Sequence, residues 1–407
     1  MTDPVPANPF IRYRTRLDSY AIARARGWSD DEFVALVGRL DDAIAGVAGH
    51  GFVSTPTRTV PRLADALGVE ATVHVKDETG NVGGSHKARH LFGVMLHLAV
   101  TDDQQGELAI ASCGNAAVAA ATLARAVRRP LRVFIPVWAD PVVVELLKSL
   151  DARVEVAERR AGEHGDPAYL RFVEAVGSGA VPFSVQGSST PTTIDGGRTI
   201  GWELADQIAD TPGRVRLFVQ IGGGALASAA WKGLREGRPS TPVVLHAVQV
   251  EACAPLPRAW RLVTDDLASD LSLDIPDRPA ARAGLLEGRA TEAHRLMSEH
   301  VDRYMRPWDP VGSSAATGIL DDVTYDWRTV AGPMIEGGGW PVVVTESQIL
   351  EANRLGREHT GIDVDPTGTA GLAGLLERST RDTIERDDQV VLLFTGIRRS
   401  QGPPDAG

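Results

Sequence analysis

The chain is poor in sulfur, with two cysteines, Cys113 and Cys253, among 407 residues. A pair so far apart cannot staple a fold of this length and forms no local metal knuckle. A disulfide scaffold and a cysteine-ligated metal centre are therefore set aside, and a reducing compartment is expected. Positive charge is also short: 42 Lys and Arg stand against 53 Asp and Glu, for a formal net charge of −11. Such a balance offers no broad basic face to release counterions from nucleic acid or to meet an anionic membrane, so the expected partner is a small molecule. No stretch reaches the roughly 18 apolar residues of a membrane span. Met1 to Arg14 mixes prolines with charges and lacks the apolar run of a signal peptide. These absences predict a soluble, cytoplasmic protein.

What is present is an ordinary globular composition, 43% hydrophobic, enough to bury a large core in two lobes. Thr72 to Val75 is a short β-prone run, Gly80 to Ser85 a glycine-broken loop, and Lys87 to Val100 repeats its apolar residues at helical spacing. The same strand, loop, helix order returns at Leu108–Ala111 into Ala116–Val127, Leu131–Ile135 into Val142–Leu150, and Leu217–Ile221 into Ala225–Leu234. Val243–Val250 is a further strand before a proline-rich stretch. Strands alternating with helices predict an α/β fold with parallel sheets, whose ligands bind beyond the carboxyl ends of strands. Thr264 to Gly288 is richer in Asp, Pro and Arg, with weaker apolar periodicity, and is expected to be a surface excursion.

The unusual residues sit in those loops. In Gly80-Asn81-Val82-Gly83-Gly84-Ser85-His86-Lys87 a lysine stands at the first turn of a helix, where the helix dipole disfavours a cation unless it becomes an imine or faces a phosphate. A solvated lysine is the plain alternative. Ser112-Cys113-Gly114-Asn115 precedes an alanine-rich helix, placing Asn115 to cap that helix or to bond a ligand oxygen. Cys113 would count as a nucleophile only with a base beside it, and none is legible. Gly222-Gly223-Gly224-Ala225-Leu226 follows a buried strand and opens a helix, a backbone cradle for phosphate. The same letters, through Gly222, Gly224 and Ala227, fit a dinucleotide fingerprint with Glu251 as the ribose acid. Near the C-terminus, Val390 to Phe394 is an apolar strand ending in Thr395-Gly396, a turn or a hydroxyl aimed at a heteroaromatic nitrogen.

In this order the four segments resemble the fold type II family of pyridoxal-phosphate enzymes, which includes threonine synthase, serine and threonine dehydratases, cysteine synthase and the tryptophan synthase β chain. The likeness spans about Thr55 to Gly396. It implies pyridoxal 5'-phosphate as cofactor, held as a Schiff base on Lys87, with His86 at the phosphate, Asn115 at the 3'-oxygen, Gly222, Gly223, Gly224, Ala225 and Leu226 around the phosphate, and Thr395 at the pyridine nitrogen. The substrate carboxylate would lie against Ser112, Cys113, Gly114, Asn115 and Ala116. The resemblance further implies two lobes, each a mainly parallel sheet flanked by helices. Residues 1–54 are expected as an N-terminal extension, 55–87 and 195–400 as the large cofactor-binding lobe, and 88–194 as a smaller mobile substrate lobe, in a homodimer. No metal is implied.

Two stretches bear on the reaction. Asp195-Gly196-Gly197-Arg198-Thr199-Ile200-Gly201-Trp202-Glu203 looks like the Glu-Gly-x-x-Thr-x-x-x-Glu stretch of threonine synthases. His86-Lys87-Ala88-Arg89 departs from their Phe-Lys-Asp-Arg and is closer to the His-Lys of tryptophan synthase β chains. The reaction so implied is elimination or replacement at the β-carbon of a small amino acid through an aminoacrylate-type species. Threonine synthase-like γ-replacement on O-phosphohomoserine is the alternative, and Arg89 and Arg198 stand as its candidate anion contacts. An NAD-dependent oxidoreductase or a non-catalytic ligand-binding homologue are the more distant readings.

Overall fold

A computed structural model describes residues 7–102, 106–208 and 213–399. Among them run ten strands: β1 (Thr57–Thr59), β2 (Thr72–Asp77), β3 (Leu108–Ala111), β4 (Leu131–Pro136), β5 (Arg153–Ala157), β6 (Val181–Pro182), β7 (Val215–Gln220), β8 (Val243–Val250), β9 (Pro341–Val344) and β10 (Gln389–Phe394). They form a six-stranded sheet in the order β1-β2-β10-β7-β8-β9 and a four-stranded sheet in the order β5-β4-β3-β6. All pairings are parallel except that of β1 with β2. The expected α/β architecture of mainly parallel sheets flanked by helices is what forms. No helix among the described residues is long and apolar enough to cross a membrane.

The chain divides into two compact units. One consists of Pro56–Thr79 and Ile200–Arg398 and carries the larger sheet. Strands β7, β8 and β10 are buried at every position, the signature of parallel strands covered on both faces. Leu217, Val219, Leu245, Leu392 and Phe394 meet Trp260 and Trp340 in its core. Two of the charges buried there are paired. Lys76 Nζ lies 2.5 Å from Glu203 Oε2 and 2.9 Å from Gln207 Oε1, and Arg216 Nε lies 2.5 Å from Asp388 Oδ2. The segment from Thr264 to Gly288 is exposed or half-exposed throughout 269–281, in line with the surface excursion read from the sequence. Its two ends are helical and packed: helix Pro255–Asp270 runs through its first part and helix Pro279–Leu285 through its end, with Thr264, Leu267, Ala283 and Leu286 buried. Arg282 reaches Thr264 Oγ1 and Asp265 Oδ1, so a polar letter occupies a core position at the far end.

The other unit consists of Met1–Thr55, Gly80–Thr199 and Arg399–Gly407, and its sheet is built from β3 to β6. Ala109, Phe134, Ala157 and Phe172 form a compact core beneath helix Pro167–Gly177. The division differs from the lobes read from the sequence, because residues 7–55 and the loop from Gly80 group with residues 88–194. The cause is a phenylalanine cluster. Phe10 packs edge-on against Phe92 at 4.6 Å, and Phe52 lies 4.7 Å from the same ring, tying the N-terminal residues to helix Lys87–Val100. Helix Asp30–Ala48 begins with a complete capping box between Ser29 and Glu32, so this stretch is ordered by its own signals as well.

Candidate functional site

In the unit carrying β3 to β6, the loop after Gly80 winds through left-handed glycines, Gly83 at φ +65° and Gly84 at φ +69°. A side chain on Gly83 would bear on the backbone of Ala119, so the turn lets this loop lie close against helix Asn115–Ala126. Ser85 follows in extended conformation, fully buried, and among the described residues its Oγ has no hydrogen-bond partner. His86 is the N-cap of helix Lys87–Val100 without a side-chain cap bond, and Lys87, half-buried, is its first residue, as the sequence predicts.

The His86 ring meets the His90 ring edge-on at 5.6 Å. His90 Nδ1 lies 2.9 Å from the Thr193 carbonyl and therefore carries the proton, which it donates. Burial, together with the nearby Lys87 charge, pushes the pKa of His90 down to about 3, so its ring is neutral at physiological pH. Helix Lys87–Val100 packs backbone to backbone on the start of helix Thr193–Gln207, because Gly93 and Gly196 face each other and a Cβ on either would collide.

Ser112 to Asn115 follow β3 as a half-buried loop, with Ala116 buried behind them. The N-cap of the next helix is Gly114, with no side-chain cap bond, and Asn115 is its first residue. Asn115 is thus not the cap that its position in the sequence suggested. Its Oδ1 accepts from Arg399 Nε at 2.8 Å, and Arg399 Nη2 also donates to the Gly83 carbonyl. One arginine near the C-terminus thereby holds the asparagine and the glycine loop ahead of Lys87 together. Nothing in the sequence signalled Arg399.

The two arginines offered as anion contacts are otherwise engaged. Arg89, fully buried, donates to Thr55 Oγ1 at 3.0 Å and Thr199 Oγ1 at 3.1 Å. Arg198 lies 2.5 Å from Asp195 and 2.7 Å from Asp18. The stretch that looks like a threonine synthase motif thus spends Asp195, Gly196 and Arg198 on holding this unit together.

In the other unit, β7 ends at Gln220 and the glycine loop leads into helix Ala225–Gly237. Gly224 stands at φ +106° as the N-cap and, being glycine, offers no side-chain oxygen to the first N–H groups of a 13-residue helix. A Cβ on Gly222 would lie 2.6 Å from Asp321 Oδ2, and one on Gly224 3.1 Å from Val330. The positive φ of Gly224 is what favours glycine on this path, while at Gly222 the end of the Asp321 side chain would have to give way. Gln249 on β8 braces it, donating to the Ile221 carbonyl at 3.2 Å.

Thr395 emerges buried from the end of β10, the strand next to β7. Its Oγ1 accepts from Gln220 Nε2 at 2.6 Å, so the hydroxyl and the start of the glycine loop are fixed to one another through Gln220. Glu251, offered as a ribose acid, is exposed. The buried Cys253 thiol is pushed up to about 12 by burial and by Asp321 and Asp322, which makes it inert as a nucleophile.

The family model for pyridoxal-phosphate dependent enzymes matches residues 50–396, a span that includes the lysine loop, the helix starts at Lys87, Asn115 and Ala225, none with a side-chain cap bond, and Thr395. The chain belongs to this family. Among curated relatives, the threonine synthase of Methanosarcina acetivorans is 25% identical over 347 residues, 84% of this chain and 74% of its own. The L-serine dehydratase of Saccharomyces cerevisiae is 29% identical over 200 residues, 46% of this chain and 58% of its own. Of the solved structures, a threonine deaminase from T.th. superposes with a TM-score of 0.63 at 21% identity, covering 90% of this chain and 99% of that one.

The oxidoreductase reading of the glycine loop falls with the family assignment. The chain's own groups suit the family's cofactor: a primary amine on Lys87, a bare glycine backbone opening a helix at Gly222 to Gly224, and the buried Ser85 hydroxyl, which has no hydrogen-bond partner among the described residues. Sequence reading missed Ser85, although its place two residues before the lysine was a usable signal.

Proposed function

We propose that this enzyme binds pyridoxal 5'-phosphate covalently through Lys87 and carries out elimination or replacement at the β-carbon of a small amino acid. When bound, the cofactor supplies the electron sink that acidifies the substrate Cα–H. The chain does the rest. Gly222, Gly223, Gly224, Ala225 and Leu226 would hold the phosphate through backbone N–H groups, with His86 as a further contact. Asn115 would meet the ring's 3'-oxygen and Thr395 the ring nitrogen. The Lys87 amine, once exchanged for substrate, would take and return the α-proton, and neutral His90 beside it adds no competing charge. Ser112, Cys113, Gly114, Asn115 and Ala116 would receive the substrate carboxylate at the uncapped start of helix Asn115–Ala126.

The observation that carries β- over γ-chemistry is the occupation of Arg89 and Arg198. With the first between two threonines and the second between two aspartates, neither is left to bind the phosphate of O-phosphohomoserine. The length of the similarity to threonine synthase supports the γ-replacement alternative. The deciding experiment offers serine, threonine, O-acetylserine, diaminopropionate and O-phosphohomoserine to the holoenzyme, following keto-acid, ammonia and threonine formation. Keto acid or ammonia from a β-substituted amino acid is expected; threonine from O-phosphohomoserine, with the others inert, would reverse the preference. The reading includes a mobile substrate lobe over residues 88–194, a cytoplasmic location and a homodimer, the last checked by sedimentation.

A further inference from the structure

Gln220 is the last residue of β7 and is buried, yet no apolar packing role explains an amide there. Its Nε2 faces three acceptors: the Gly368 carbonyl at 3.2 Å, the Leu393 carbonyl at 3.3 Å and Thr395 Oγ1 at 2.6 Å. The two carbonyls settle which end of the amide is which. A carbonyl oxygen only accepts, so turning the amide over would set Oε1 against two oxygens and lose both of these contacts. Oε1 itself is buried without a hydrogen-bond partner among the described residues, and the chain tolerates that orphan to keep the nitrogen where it is. An amide N–H cannot accept. The Thr395 hydroxyl therefore takes a short bond from Gln220 and cannot give one back to it. A hydroxyl that already accepts is polarised toward donating its own proton.

We propose that Gln220 is a positioning residue that turns the Thr395 hydroxyl into a hydrogen-bond donor and so keeps the ring nitrogen of bound pyridoxal phosphate unprotonated. The proposal rests on Thr395 facing that nitrogen and goes beyond it by naming what sets the direction of the bond. The chemical consequence is a ring that withdraws electrons less strongly, which suits elimination and replacement rather than transamination.

The test reads the ring nitrogen directly, by 15N NMR of holoenzyme reconstituted with ring-labelled cofactor at neutral pH. The wild-type signal is expected at the neutral-pyridine position. Gln220→Glu supplies an acceptor in place of the donor, so Thr395 donates to it and presents a lone pair to the ring. The signal should move more than half of the way toward the protonated position. Gln220→Met, close in size and unable to hydrogen-bond, should give a smaller move in the same direction and stands in if the glutamate variant does not fold. Thr395→Ala separates the two ideas. A signal unmoved by Thr395→Ala removes the placement of Thr395 and with it the role of Gln220. A signal moved by Thr395→Ala but identical to wild type in every folded Gln220 variant overturns the inference about Gln220 alone. A protonated ring in the wild-type enzyme overturns it outright.

Discussion

In the unit built on β7, β8 and β10, the candidate residues grow from strands buried at every position, and Gly222, Gly224, Ala225, Leu226 and Thr395 are largely or fully buried. In the unit built on β3 to β6, Lys87 and Ser112 to Asn115 are half-buried, on a loop and two helix starts whose side-chain caps are missing. The first arrangement fixes backbone donors and one hydroxyl by packing, as suits an anchor for a phosphate and a ring. The second leaves an amine and a row of N–H groups reachable from solvent, as suits groups that meet substrate and exchange protons. Stability and chemistry should therefore respond to mutation in opposite proportions in the two units.

The largest expected effect is on chemistry and in the second of these. Lys87→Ala should cut turnover by at least about a thousandfold, since it removes the covalent tether and the proton carrier together, while leaving the fold intact. Borohydride reduction followed by peptide mapping checks the attachment point. A pyridoxyl group on Lys76 or Lys148 would break the assignment, and their surroundings argue against it. Lys76 is fully buried against Glu203, and Lys148 lies exposed 2.7 Å from Glu145.

The anchoring unit should show the reverse. Glu203→Ala removes the carboxylate 2.5 Å from the buried Lys76 ammonium, and stripping one partner from such a pair costs about 3–5 kcal/mol. Urea unfolding of the apoprotein measures it. A loss under about 1 kcal/mol would mean that water reaches Lys76 and that this core is less closed than its burial implies.

A smaller effect is expected where packing meets the phosphate. Gly224→Val forces a β-branched residue to φ +106° with its Cβ 3.1 Å from Val330 and 3.2 Å from Asp326. Backbone strain of about 1–3 kcal/mol corresponds to roughly a tenfold loss of cofactor affinity or somewhat more. Turnover should recover at saturating cofactor. Failure to recover in a folded variant would give the loop a part in the chemistry and blur the contrast between the units.

Much of this was legible in the sequence, for a physical reason. Helix Lys87–Val100 and strands β3 and β8 begin and end where apolar periodicity and glycine breaks put them, because each element's period coincides with its burial. The glycine loop was legible as a bare backbone turn opening a helix because glycine is the one residue whose absence of a side chain is itself the signal. What escaped was held by long-range pairing. Arg399 reaches Asn115 across 284 positions and Gln220 reaches Thr395 across 175, and neither arginine nor glutamine carries a local pattern. The grouping of residues 7–55 with helix Lys87–Val100 escaped as well, because Phe10 and Phe52 find Phe92 only in the fold.

The smallest expected effect is shared by both units and depends on pH. Each unit buries one histidine completely: His90 beside Lys87 and Arg89 in one, His246 beside Arg216 in the other. Burial first and the neighbouring cation second push each pKa down to about 3. The unfolded chain binds those protons near pH 6.5 while the native protein does not, so folding is favoured above that pH. Stability should be fully present above about pH 6.5 and fall as pH drops toward 3, by about 1.4 kcal/mol per pH unit for each histidine. His246 is stacked on Phe218 at 4.6 Å, and the Arg216 guanidinium 3.4 Å from its Nε2, itself paired with Asp388, opposes a second positive charge. His90 stands in the half-open unit with its Nδ1 on the Thr193 carbonyl. Denaturant unfolding of the apoprotein at pH 7.0 and 5.5, for wild type, His90→Gln and His246→Gln, separates the two. Each variant should lose part of the wild-type acid sensitivity, with His74 and His294, whose pKa values burial also lowers, carrying a share of the remainder. Removal of the whole sensitivity by His246→Gln alone would mean that the unit carrying Lys87 already opens to water in the native state, and that its histidine titrates there as an ordinary one.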